Sequence, residues 1–316
     1  MNTWYISFHG GDNPNSLNNI HVYDAGGREL RKALNRASLP PGVELRELRG
    51  FAFGPDGNLY VVNAYRKCSE ILQFTGVLNE DGQHDFIRVY VKGDDTLNPG
   101  LLHPFNVAFD AAGDLYVSSQ DTSVVCRYYG PKSSLGGPGT PMPPPSALTN
   151  VTAIPPGTFI PSSKDCANGL VTVRDATFGP DRNLYVVDRD TNSIRKYDGQ
   201  SGRFLDQIVS EYLDKPVHLL FSRDGGSLFC SSAGNSCICR YDLNAGKVSL
   251  FVEPKSAGLE GPAGMALGDD DYLYVASRLS SRILRFKATD GTPDKKAFIH
   301  QLQDNPEFLM QTQALK

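Results

Sequence analysis

A chain of 316 residues with 40% hydrophobic and 21% charged residues has an ordinary globular balance, which excludes wholesale disorder. Its formal net charge of −4 gives no global attraction for nucleic acid, and no apolar run reaches the length of a membrane-spanning helix. With 31 Gly and 21 Pro against 4 Met and 1 Trp, many turns and short strands are expected.

The chain opens MNTWYISFHGG, without the basic and apolar regions of a secretory leader. The reading is a cytoplasmic protein, with a mature secreted form as the alternative. TWYISFH, a polar loop and IHVYDAGGRELRKAL then read as a four-stranded unit that lacks its first strand.

Five similar segments follow. They are FAFGPDGNLYVVNAYRKCSEILQF from Phe51, VAFDAAGDLYVSSQDTSVVCRYY from Val107, ATFGPDRNLYVVDRDTNSIRKYD from Ala176, LLFSRDGGSLFCSSAGNSCICRYD from Leu219 and MALGDDDYLYVASRLSSRILRF from Met265. Each is an apolar run, a Gly/Asp turn, a Leu-led β-rich run, a polar turn and a third run ending in an aromatic. Subtracting positions of Leu59, Leu115, Leu184, Leu228 and Leu273 gives spacings of 56, 69, 44 and 45. A more polar fourth strand is expected after each third one: FIRVYV near 90, FLDQIV near 206, VSLFVE near 250 and KAFIH near 298. Four antiparallel strands per unit of about 45 residues make one propeller blade.

Residues 130–170, rich in Pro, Gly and Ser, break the period. GTFIPS is expected to be the outer strand of the third blade, and the rest an insertion, either a flap over one face or a mobile loop. Asn150-Val151-Thr152 within it is a glycosylation sequon, which without a secretory leader counts as chance. At the C-terminus, Asn305-Pro306-Glu307-Phe308-Leu309-Met310 matches the inner strand that begins His103-Pro104-Phe105. The tail should therefore supply the missing inner strand of the first blade, giving six blades and leaving no free edge. The six cysteines have no metal or disulfide spacing and read as reduced packing residues.

These segments resemble NHL repeats of the six-bladed β-propeller group, the best match being the segment from Ala176. The resemblance implies an all-β, six-bladed β-propeller forming a single domain over 1–316. That architecture hosts gluconolactonase-type lactonases, strictosidine-synthase-like enzymes, lyases and binding scaffolds, so it leaves function open. Ligands of such propellers sit at the mouth of the central channel, ringed by the starts of the inner strands and by the turns after the second strands. Arg49, Phe105, Arg174, Val217, Ala263 and Glu307 share the first inner-strand register; Gly50, Asn106, Asp175, His218, Gly264 and Phe308 share the next. Asn63, Ser119, Asp188, Ser232 and Ser277 end the second strands.

The catalytic candidates are Asp188, His103 and Glu307, for proton transfer or metal binding. Arg49 and Arg174, whose guanidiniums need an anion or a carboxylate between them, are substrate-binding candidates with Asn63, Asn106 and His218. One divalent metal, calcium or a transition metal, is the cofactor the resemblance suggests, with His9, His103, His218, Glu307 and Asp188 as candidate ligands. His21, His84 and His300 read as surface residues. The expected activity is a hydrolase (lactonase- or esterase-like) or a lyase acting on a polar or anionic small molecule. The alternative is a non-catalytic scaffold for a protein or peptide, with exposed aromatics such as Tyr65, Tyr128 and Tyr129.

Overall fold

The computed structural model describes residues 2–11, 16–145, 148 and 154–313; the sequon at Asn150 lies outside them. The strand-forming runs of each repeat, parted by Gly/Asp turns, fold into antiparallel strands, and six sheets result. The second sheet runs β4 (Leu48–Phe53), β5 (Leu59–Asn63), β6 (Glu70–Leu78) and β7 (His84–Lys92). The third runs β8 (Pro104–Phe109), β9 (Leu115–Ser119), β10 (Val124–Tyr128) and β11 (Thr158–Ile160), so GTFIPS does supply its outer strand. The fourth is β12 (Val173–Phe178), β13 (Leu184–Asp188), β14 (Ser193–Tyr197) and β15 (Phe204–Val209), and the fifth β16 (Pro216–Phe221), β17 (Ser227–Ser232), β18 (Cys237–Asp242) and β19 (Lys247–Val252). The sixth holds β20 (Pro262–Leu267), β21 (Tyr272–Ser277) and β22 (Arg282–Lys287).

The first sheet is composite. The N-terminal strands β1 (Asn2–Phe8), β2 (His21–Tyr23) and β3 (Glu29–Lys32) are completed by the C-terminal β23 (Pro306–Gln313), which pairs antiparallel with β1 from Asn2↔Gln313 to Phe8↔Pro306. These sheets are the six blades of an all-β six-bladed propeller. The chain forms two compact units. One, residues 49–76 and 86–208, carries the second to fourth blades; the other, with the remaining residues, carries the first, fifth and sixth and the tip of the β6–β7 hairpin.

The repeated Asp and Tyr have a shared purpose. A buried tyrosine hydroxyl needs a partner, and the turn aspartate supplies it. Tyr60 donates to Asp56, Tyr116 to Asp110, Tyr185 to Asp181 and Tyr274 to Asp270, at 2.8–3.3 Å. In the fifth blade Phe229 replaces the tyrosine, and Asp224 accepts from Ser222 Oγ instead. The rings themselves fill the space between blades. Trp4, for example, lies 4.0 Å from Tyr274, ring centre to ring centre.

Three expectations need correction. KAFIH forms no strand: residues 288–302 meet β22 at two isolated bridges, Phe286↔Pro293 and Ile283↔Ile299, and by single backbone bonds such as Asp294 N–H to Arg285 O, without a continuous ladder. Pro293 has no N–H to give to a ladder, which limits pairing along this edge. His21 and His84 are buried, not surface residues. His84 Nε2 meets Tyr5 Oη at 3.1 Å, and His21 Nδ1 meets Glu29 Oε1 at 2.8 Å. Tyr128 is also buried, donating to Asn98 Oδ1 at 3.1 Å.

The described part of the insertion extends the outer edge of its blade. Pro141 bridges Tyr128, Met142 N–H donates to Arg127 O, and Arg127 N–H to Gly157 O. Further on, Arg195 and Tyr197 hold the Gly169 and Asn168 carbonyls along the outer side of β14. All six cysteines are free thiols, four of them buried.

Candidate functional site

The residues that end the second strands form a clamp. Ser119 Oγ accepts the Leu102 amide at 2.8 Å, Ser232 Oγ the Asp214 amide at 2.8 Å and Ser277 Oγ the Glu260 amide at 2.9 Å. Each bond pins the loop leading into its own inner strand. Asp188 does the same with more acceptors: it takes the amides of Val171 and Thr172 and pairs with Arg195 at 3.4 Å, fully buried. Asn63 is also buried and donates to Glu70 at 3.3 Å. Asp188 thus spends its carboxylate oxygens on the fold, and Asn63 its amide nitrogen on Glu70.

The second inner-strand register joins neighbouring blades. In one unit, Asn106 Nδ2 donates to Asp175 Oδ1 at 2.6 Å, and its amide side lies against Gly50. In the other, His218 Nδ1 accepts the Met265 amide at 3.2 Å and its ring meets Phe308 edge-on at 5.2 Å. Gly264 leaves the space that the backbone at Phe308 needs, a Cβ there falling 2.8 Å from Phe308 Cα. Asn106 and His218 are therefore built into packing between inner strands.

The first register does bring candidates together. In the unit of the second to fourth blades, the Arg49 and Arg174 guanidiniums both lie over the Phe105 ring, 5.4 and 5.7 Å from its centre. The electron-rich ring face attracts each cation, by roughly 0.5–2 kcal/mol depending on solvent access. Arg49 Nη2 lies 3.4 Å from His103 Nε2, and His103 Nδ1 lies 3.1 Å from Asp121 Oδ1. Arginine can only donate, so Nε2 must accept and Nδ1 carries the proton toward the carboxylate. Gln120 Nε2 donates to the same Asp121 Oδ1 at 3.4 Å, and Arg66 Nε at 2.7 Å from Asp121 Oδ2 completes the surround.

Asp121 and Gln120 were not among the residues singled out from the sequence. They lie two and one positions beyond Ser119, in the turn after the second strand, and only the fold shows that this turn folds back on His103. The left-handed backbone at His103 (φ 55°) recurs at Lys215 (φ 47°) and Gly261 (φ 54°), also just before an inner-strand proline. It is a property of the repeat and not a strain peculiar to this histidine.

In the other unit His9 Nδ1 lies 3.4 Å from Glu307 Oε2, with Glu307 buried and His9 about one-third exposed. No group of three or more His, Cys, Asp or Glu side chains suited to an ion occurs among the described residues. The His103 Nε2 lone pair faces a guanidinium, the His218 Nδ1 lone pair an amide N–H, and Asp188 is filled by amides and Arg195.

No protein-family model and no curated protein sequence matches the chain. Solved structures do match its fold. A nidogen/laminin complex superposes with TM-score 0.64 at 15% identity, covering 98% of both chains. The periplasmic gluconolactonase of Pseudomonas aeruginosa gives 0.62 at 13% identity, covering 99% of both. Virginiamycin B lyase of Staphylococcus aureus gives 0.60 at 13% identity, covering 97% of this chain and 84% of the lyase. At these identities the likeness establishes the propeller fold and not the activity. No helix among the described residues is long and apolar enough to cross a membrane.

Proposed function

We propose that this chain is a small-molecule hydrolase or lyase that opens an ester or lactone bond in an anionic substrate, with His103 as the proton-transfer group. The observation that carries the reading is the imidazole held between a carboxylate and a guanidinium, beside a second arginine on a shared ring. Asp121 fixes the tautomer that leaves Nε2 as the base, the usual task of a carboxylate behind a catalytic histidine. An anionic substrate that draws the Arg49 guanidinium onto itself uncovers that lone pair. His103 then takes a proton from an attacking water, or from carbon in an elimination, and returns it to the leaving oxygen. Arg49 and Arg174 hold the anion and offset the developing negative charge. A catalytically inactive histidine-to-alanine variant is known for the structurally similar lyase of Staphylococcus aureus, which agrees with a histidine-centred chemistry on this scaffold.

The test is proton release from a panel of lactones, with and without a phosphate or carboxylate, and of cyclic depsipeptides. Anionic members should turn over. His103→Ala should lower kcat by about 10²–10⁴-fold, and Arg174→Ala should chiefly raise KM, both with an unchanged melting midpoint. Undiminished turnover by His103→Ala defeats the proposal. Binding without any turnover favours the scaffold reading, for which the exposed Leu102 and Val171 near His103 would supply contact surface.

A further inference from the structure

Two thiols of the fifth blade stand against each other. Cys237 and Cys239 are two apart on β18, so their side chains leave one face of the strand. Their Sγ atoms lie 3.8 Å apart. Cys230 is the register partner of Cys239 on β17, which puts a third thiol on that face. None of these residues takes part in the His103 chemistry.

The repeat does not demand this pair. Of the described third strands, β18 is the one that carries two thiols. At the same two positions the fourth blade has Ser193 and Arg195, and the sixth has Arg282 and Leu284. The contact between the sulfurs is also unequal. The hydrogen bond from Cys239, helped by Ser232 and Asn235, holds the Cys237 thiol below the ordinary cysteine range although burial opposes it. The same bond, with burial, pushes Cys239 up. Cys237 is the thiol that gives up its proton, and the thiolate is the form that attacks an oxidant.

Both thiols are buried, but at the end of a strand. Cys237 is the first residue of β18, directly after a turn in which Gly234 is exposed and Asn235 half-buried. Asn235 Oδ1 lies 3.2 Å from Cys237 Sγ, and the carbonyl of the half-buried Tyr212 lies 3.3 Å from Cys239 Sγ. The residues that touch the pair thus reach solvent themselves. Turns at strand ends open locally at far less cost than the whole fold, and such an opening admits an oxidant as small as hydrogen peroxide.

We propose that Cys237 and Cys239 form a reversible oxidation site for peroxide. The Cys237 thiolate attacks one peroxide oxygen, the O–O bond breaks and hydroxide leaves, which makes Cys237 a sulfenic acid. The Cys239 sulfur then attacks the Cys237 sulfur. The hydroxyl leaves with the Cys239 thiol proton as water, and the disulfide is formed. The hydroxide takes up the proton that Cys237 released, so peroxide ends as two waters and the thiols give up two electrons. Strand residues two apart are about 6.4–6.8 Å apart at Cα, the upper end of what a disulfide spans. Such a stretched bond is readily reopened by a thiol reductant.

The test treats the folded full chain with hydrogen peroxide, then unfolds it, alkylates it and maps its tryptic peptides by mass spectrometry. Residues 224–240 form one such peptide with three cysteines. After peroxide it should carry its alkyl group on Cys230 alone, with labelling of Cys237 and Cys239 down at least tenfold and restored by dithiothreitol. Cys239→Ser should stop at the sulfenic acid, trapped by dimedone on Cys237. The map of the parent chain decides by itself if that variant does not fold. The inference is overturned if Cys237 and Cys239 stay reduced while the half-buried Cys68 and Cys166 oxidise, if the bond joins Cys230 to Cys239, or if dimedone leaves Cys237 of a folded Cys239→Ser unlabelled.

Discussion

At Gly50 an added Cβ would press on the Asn106 amide and lie 2.8 Å from Asn106 Cα, which is backbone and cannot swing aside. Gly50→Ala should therefore cost about 1–3 kcal/mol, as overpacking does, read as a lower urea midpoint; an unchanged midpoint would show that the inner strands have slack. His21 carries a pH dependence. Burial pushes its imidazole below the ordinary histidine range, with Glu29 opposing only in part. Between that lowered value and the unfolded value of about 6.5, the unfolded chain binds the extra proton, so stability rises with pH through the window and is lost as pH falls through it. Urea unfolding between about pH 7.5 and about pH 5 should show that slope, and His21→Gln should flatten it. A slope that persists in the variant refutes the assignment. Neither residue announced its role in the sequence. Gly50 read as one more small residue of a register, and His21 read as a surface residue of an outer strand. What decided both was a neighbour on another strand. Asp121 was missed for the same reason: a charged turn residue looks solvated until the loop before Pro104 brings His103 to it.

The strand ends explain why LYVVD reads two ways. The same position that suggests a catalytic aspartate by resemblance is Ser119, Ser232 or Ser277 in sister blades, and all of them accept an amide of the loop leading into the inner strand. A serine hydroxyl suffices for one amide; Asp188 holds two and Arg195 as well. Asp188→Asn would leave the buried Arg195 guanidinium without its counter-charge and turn an amide NH2 against a backbone N–H. A loss of about 2–4 kcal/mol is expected, against about 1 kcal/mol for Ser232→Ala. Ligand binding at Arg174 should survive both changes. If Asp188→Asn melts normally but abolishes binding or turnover, Asp188 belongs to the chemistry and the clamp is incidental. At this scale the strands were legible wherever the period held. They were misread on the last edge, where KAFIH pairs with β22 at one bridge, Ile299 with Ile283, and does not continue into a ladder.

The pairing of β23 with β1 ties the two ends of the chain into one sheet, and it was legible because residues 305–310 repeat the inner-strand pattern from His103. Asn2 and Gln313 are register partners, so joining Lys316 to Met1 would leave four residues (314, 315, 316 and 1) between them. That is close to the five residues, 110–114, that link β8 to β9. The end-to-end join is therefore the hairpin that the other blades already have, with the covalent break moved elsewhere. A permuted chain that starts at Asp304 and ends at Gln303 should keep its melting temperature within about 3 °C, the shift that roughly 1 kcal/mol gives a chain of this size. Deleting 304–316 instead removes the buried Phe308 and Leu309 and bares the edge of β1. That chain should aggregate or lose its cooperative transition, since an unpaired apolar edge templates association. A deleted chain that melts like the parent would mean that β1, β2 and β3 hold together without β23. The permutant's success beside the deletion's failure would show that it is the strand pairing, and not the order of the chain, that secures the first blade.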